Sequence, residues 1–152
     1  MRSPGPAAVL LALMLSPFPL CAASHQEVAP DPQAIAALEA RAGQAAPRDR
    51  CFLYAQLVHE MAELSVRKFA AGEVEAASGL LRDIQSAAQK IHFSEAGHDK
   101  RLKNAEILLN HTSFRLNELL RSSGSADRGL VEQTLAQVNQ AQNETMLEIF
   151  QK

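Results

Sequence analysis

The apolar residues between Val74 and Ile91 recur at alternating spacings of three and four. The series consists of Val74, Ala77, Leu81, Ile84, Ala88 and Ile91. An α-helix brings such positions to one face, whereas a strand would present every second residue. This is the heptad seam of packed helices, so the fold must supply helical partners for this face.

Three further long segments have the same period. One runs from Pro47 to Ala71 and stops at Gly72, and two others follow Gly97 and the turn RSSGSAD (121–127). The seam of the third long helix is Leu102, Ala105, Leu109, Thr112, Leu116 and Leu119. That of the fourth is Val131, Leu135, Val138, Gln142, Thr145 and Ile149. Four long helices and short turns predict an all-α, antiparallel up-down four-helix bundle over residues 47–152.

A short helix is predicted before the bundle, inside a connecting region that spans residues 24–46. Asp31 is a capping residue and Pro32 suits a first helical turn, while Gly43 is expected to end the helix. Its apolar positions are Ile35, Leu38 and Ala42.

A second architecture is suggested by FAAGEVEAASGLL, which runs from Phe69 to Leu81. The segment resembles the turn of a tetratricopeptide-type hairpin, in which a Gly ends one helix and small and apolar residues follow. This resemblance implies stacked helical hairpins. It covers one hairpin only, and the sequence has no second copy at a period of about 34 residues.

The first 23 residues have the form of a secretory signal peptide. Arg2 precedes an apolar run too short to span a bilayer, and the small residues up to Ala23 suit cleavage. We therefore expect export to a periplasmic or extracellular space, without a membrane span in the mature chain. Cleavage would remove Cys21 and leave Cys51 as the only thiol, so an internal disulfide is excluded. A formal net charge of −2 does not favour nucleic-acid binding.

The segment LVHEMAEL (57–64) contains part of a zinc-protease signature, with Glu63 where a second His is required. Helical spacing places Leu57, Val58 and Met61 on the side that faces the core. His59 and Glu63 fall on the other side. The pattern predicts that both polar residues face water and that Glu63 meets Arg67 one turn later.

A divalent transition metal is the one cofactor for which the sequence offers ligands. His92, Glu95 and His98 lie close together at the end of the second long helix, and His59 or His111 could join them from neighbouring helices. The alternative is a polar turn whose His residues cap a helix or face solvent.

An outer patch of three residues lies opposite the seam of the third long helix. It consists of Ile107, His111 and Phe114. A helix that is apolar on two faces needs a second contact. We expect the short helix at residues 31–42 to cover the outer patch; otherwise the patch is exposed to a protein partner or to a second copy of the chain.

The sequence favours a non-enzymatic interaction or structural module of the cell envelope. A metal-binding or metal-sensing bundle is the first alternative, and an unrecognised hydrolase using Glu60 or Cys51 is the second. No nucleophile elbow, phosphate loop or dinucleotide fingerprint is present.

Overall fold

The computed structural model describes residues 30–91 and 100–150, and these form five α-helices. The helices are α1 (Pro32–Gln44), α2 (Pro47–Ala70), α3 (Val74–Ala88), α4 (Lys100–Ser122) and α5 (Ser125–Phe150). The all-α helical bundle is therefore confirmed. Within this part of the chain, no helix is both long enough and apolar enough to cross a bilayer. The predicted signal peptide lies outside the described residues.

Two predicted helix boundaries agree with the structure. The Asp31 side chain accepts a hydrogen bond from the Gln33 amide at 3.3 Å and so caps α1. After α2, Gly72 has a φ of 77°, a conformation that favours glycine. Gly43 does not end α1, because the helix continues to Gln44.

The packing of the helices shows which are neighbours. α2 packs against α1, α3 and α4, and α5 packs against α3 and α4. α3 and α4 do not pack against each other over the residues described. Four helices thus occupy the corners of a square in the order α2, α3, α5, α4, and α1 lies outside α2.

The neighbouring helices α2 and α4 run in the same direction. Asp49 forms an ion pair with Arg101 near the start of both helices, and Glu63 pairs with Arg115 further along both. Because α2–α3 and α4–α5 are connected hairpins, α3 and α5 are parallel as well. The fold is two helical hairpins stacked side by side. The tetratricopeptide-like alternative also stacks hairpins, but with a repeat of about 34 residues. Here the residues that pair between the two hairpins, Glu63 and Arg115, lie 52 positions apart.

The core follows the predicted seams of α3 and α4 almost completely. In α4 all six seam residues are buried: Leu102, Ala105, Leu109, Thr112, Leu116 and Leu119. In α3 the exception is Val74, which is 39% exposed because it is the first residue of the helix. The apolar residues of α1, Ile35, Leu38 and Ala42, are buried as predicted.

The seam of α5 differs from the prediction at three positions, one of which is Ile149, near the end of the helix, which is half-buried. Thr134 and Ala141 are buried, whereas the predicted Leu135 and Gln142 are only half-buried. The Thr134 hydroxyl accepts a hydrogen bond from Gln85 Nε2 at 2.9 Å and donates to the Leu130 carbonyl at 2.8 Å. These hydrogen bonds satisfy the buried hydroxyl of Thr134.

The most deeply packed helix is α2, because it has neighbours on three sides. Leu57, Val58 and Met61 lie in the core as predicted, with exposures of 1%, 0% and 4%. On its α3 side, Ser65 Oγ donates to the Ala77 carbonyl at 3.2 Å. α2 therefore contacts its hairpin partner α3, the second hairpin through α4, and α1.

Candidate functional site

The polar face of LVHEMAEL does not face water alone; it lies against α4. Glu63 accepts hydrogen bonds from Arg115 Nε at 2.7 Å and from Arg115 Nη2 at 3.2 Å. Arg67, the predicted partner of Glu63, instead donates to the Pro30 carbonyl at 3.0 Å. The prediction was wrong because helical periodicity cannot show that a parallel helix packs beside this face.

Arg115 lies between two carboxylates. Besides Glu63, it donates through Nη1 to Glu118 at 2.5 Å. The hydrogen bonds that Arg115 donates to Glu63 raise the pKa of Arg115, with a smaller contribution from Glu118 and an opposing effect of burial. The guanidinium is therefore charged, and the cluster of Glu63, Arg115 and Glu118 carries one net negative charge.

His59 is half-buried and contacts α4 through one ring nitrogen. Its Nδ1 lies 3.2 Å from Thr112 Oγ1, and that hydroxyl donates to the Leu108 carbonyl at 2.8 Å. A hydroxyl has a single proton. Since Thr112 uses its proton on Leu108, Thr112 must accept from His59, and Nδ1 must carry the hydrogen. In the neutral imidazole, Nε2 then has the lone pair.

The histidine cleft, as we name it, lies between α2 and α4 and has a volume of about 580 Å³. It is lined by His59, Glu63, Asn110, His111, Phe114 and Arg115. The rings of His59 and His111 are 6.5 Å apart between centroids and are inclined at 55°. Two histidines that are 52 positions apart in sequence therefore share one surface depression.

The outer patch is exposed, and α1 does not cover it. Phe114 is 61% exposed and Ile107 is 49% exposed, and α1 packs against α2 but not against α4. Gln56 and Glu60 of α2 line both a cleft against α1 and a cleft against α4. These two residues of α2 therefore lie between α1 and α4. The expectation of coverage was wrong because the apolar face of α1 is buried on α2.

A second cleft adjoins the exposed Ile107. It has a volume of about 320 Å³ and is lined by Phe52, Gln56, Glu60, Asn104, Ile107 and Leu108. Ile107 and Phe114 thus each line a cleft whose other wall is α2. The outer patch is continuous with these clefts.

The other candidate residues are not brought together. Cys51 is 2% exposed and packs in the core. Glu60 is half-buried at the clefts on either side of α2. His92, Glu95 and His98 lie outside the described residues. Among the residues described, no three side chains of His, Cys, Asp or Glu are grouped as metal ligands would be.

Arg115 and Thr112 are parts of this site that the sequence did not indicate. Thr112 stood out only as a polar residue within an apolar seam. The pairing of Arg115 with Glu63 depends on how two helices that are distant in sequence pack together.

No protein-family model matches the chain, and neither does any curated protein or solved structure with which it was compared.

Proposed function

We propose that the protein is an exported, non-enzymatic interaction module that binds a protein partner through the outer patch and the clefts beside it. The observation that carries this proposal is the exposure of Phe114 and Ile107 on one face of α4. Large apolar side chains that are grouped on a surface mark contact sites more often than isolated ones do. His111 lies between them in sequence and lines the histidine cleft.

The surroundings of the patch suit a protein interface. Ile107 and Phe114 are seven residues apart on one helix, so they lie about 10 Å apart along its axis. Each projects beside a cleft that also contains charged or amide side chains of α2. Interfaces commonly combine a few apolar anchors with a polar rim. A partner segment with two apolar side chains at matching separation would fill both clefts.

Site-specific photo-crosslinking tests the surface directly. A photoreactive amino acid replaces Phe114 in one variant and Gln133 in another, because Gln133 of α5 is exposed and has no exposed large apolar side chain near it on that helix. We expect a discrete adduct from position 114 in cells and little from position 133. Equal labelling at both positions, or none at either, would contradict the proposal.

The variant with the photoreactive amino acid at position 114 also distinguishes binding to a different protein from self-association. Irradiation of the purified protein alone would give a covalent dimer if the outer patch binds a second copy. If the adduct forms only in cells, mass spectrometry of the crosslinked peptide identifies the partner. The sedimentation behaviour of Phe114→Ser should change in the first case only.

Export is supported by the signal-like first 23 residues. We expect the cell-envelope or culture-medium form of the protein to begin at Ser24. Intact-mass measurement of that form is the test. A mass that corresponds to the full chain in the cytoplasmic fraction would refute export.

A further inference from the structure

We infer that His59 and His111 form a two-histidine site that binds one divalent transition-metal ion in the histidine cleft. The two rings belong to different hairpins and are 6.5 Å apart between centroids. Imidazole nitrogen is a preferred ligand of copper, nickel and zinc. The site goes beyond the proposed protein contact, because it assigns a ligand to the polar half of the cleft.

The hydrogen bonding of His59 prepares it as a ligand. Thr112 accepts the Nδ1 hydrogen, and Thr112 is itself fixed by its bond to the Leu108 carbonyl. Metal-binding histidines commonly donate their second ring N–H to such an acceptor, which fixes the tautomer and the ring orientation. The lone pair on Nε2 of His59 is then the group that can bind a metal.

The separation of the rings can be compared with metal geometry. With a metal–nitrogen bond of about 2.1 Å and roughly 1.1 Å from nitrogen to ring centre, each centroid lies about 3.2 Å from the ion. Two rings on opposite sides of the ion would be about 6.4 Å apart, and two rings at the tetrahedral angle about 5.2 Å. The observed 6.5 Å is at the upper limit. A rotation of the exposed His111 side chain that shortens the separation of the two ring centroids by about 1 Å gives the bent geometry.

The charges around the cleft favour a cation. Glu63, Arg115 and Glu118 together contribute one formal negative charge beside the two histidines. Glu63 accepts hydrogen bonds from two nitrogens of Arg115, so it is not an available third ligand. The ion would therefore keep water at its remaining positions. Copper is expected to bind more tightly than nickel or zinc, following the general order for nitrogen ligands.

Calorimetric titration of the untagged protein with Cu²⁺, Ni²⁺ and Zn²⁺ tests the site. We expect one Cu²⁺ per chain, with an affinity that falls in acid solution because the imidazoles must be neutral to bind. His59→Asn keeps a donor near the position of Nδ1 but lacks Nε2, and His111→Asn makes the matching change on α4. Each substitution should weaken binding at least tenfold.

A control variant removes the other candidate histidines. His92→Asn combined with His98→Asn should leave the Cu²⁺ affinity within a factor of two of the wild type. If this double variant loses binding while His59→Asn and His111→Asn retain it, the proposal is wrong. Saturable binding that is weaker than about 100 µM for all three ions would also overturn it.

Paramagnetic broadening locates the ion independently of affinity. Substoichiometric Cu²⁺ should broaden the NMR amide signals of residues 58–63 and 110–115 first, because these residues surround the cleft. Signals near Ser125, at the start of α5, should remain sharp, because this residue lies about 15 Å further along the bundle than Arg115. Broadening that is uniform along the chain, or that is absent around both histidines, would contradict a site in the cleft.

Discussion

The contact between Glu63 and Arg115 should stabilise the packing of the two hairpins measurably. The test is a double-mutant cycle with Glu63→Gln, Arg115→Gln and the combined variant. Each substitution removes a charge while keeping a similar shape. The cycle isolates the coupling between the two side chains from their separate contacts, including the contact of Arg115 with Glu118.

The expected magnitude follows from the burial and geometry of the pair. Two N–H groups reach the carboxylate, at 2.7 and 3.2 Å, and the side chains are 35% and 27% exposed. Fully exposed ion pairs contribute about 0.2–1 kcal/mol. Bidentate, charge-assisted hydrogen bonds are stronger than single contacts. Because solvent still screens a pair that is about one-third exposed, we expect a coupling free energy of about 1 kcal/mol.

Urea unfolding followed by circular dichroism supplies the four free energies. A coupling of about 1 kcal/mol corresponds to a change of roughly 4 °C in melting temperature for a domain of this size. The matched control is Arg128 and Glu132 on α5, which pair at 3.0 Å but are 54% and 52% exposed within one helix. Its coupling should be about 0.3–0.5 kcal/mol.

Two results would refute this reasoning. A Glu63–Arg115 coupling no larger than that of the control would show that the contact between helices stabilises the protein no more than an exposed ion pair does. A coupling that disappears in 0.5 M salt as completely as that of the control would show that the pair is fully screened.

Three further predictions concern the core and the turns. Gly72→Ala should destabilise the protein by about 1 kcal/mol, because a φ of 77° strains an alanine backbone even though an added Cβ would meet no neighbouring atom. An unchanged midpoint of urea unfolding would contradict this. Leu109→Ala should lower the free energy of unfolding by about 3 kcal/mol because Leu109 is fully buried. Leu147→Ala, at an exposed position, should lower it by less than about 0.5 kcal/mol, and similar losses in the two variants would contradict the assigned core. Thr134→Val should lower the free energy of unfolding by about 1 kcal/mol, because the Gln85 side chain loses its hydrogen-bond acceptor. A variant with a raised melting temperature would show that this bond is unimportant.

Much of the fold could be predicted because each helix carries its own apolar period. The seam of α4 is an example: every predicted position from Leu102 to Leu119 is buried. Local signals also located Asp31 as a cap and Gly72 as a turn. Such signals depend on residues within one or two turns of each other, so a single sequence contains them completely.

The order of the helices around the core could not be predicted in this way. Heptad seams show that helices pack, but the seam of α3 does not distinguish α4 from α5 as its neighbour. The choice is made by contacts between distant residues, such as Gln85 with Thr134. The same limit explains why the outer patch was expected under α1, since the apolar face of α1 fits α2 as well as it would fit α4.

The candidate site was obscured by the assumption that charged residues lie on the solvent side. His59 and Glu63 were assigned to water because they lie opposite Leu57, Val58 and Met61. In a helix with neighbours on three sides, a polar face can also be an interface. The result is a site whose ligands come from two hairpins, which periodicity within one helix cannot reveal.

The polar contacts between α2 and α4 also specify their alignment. Apolar seams with a seven-residue repeat can slide by one heptad and still bury similar side chains. Such a slide would place Glu63 opposite Leu108 or Ser122 instead of Arg115, and it would separate His59 from Thr112. Half-buried polar groups without partners are costly, so each misaligned packing loses stability that the observed alignment keeps. The residues that bring His59 and His111 into one cleft are therefore the same residues that fix how the two hairpins are stacked.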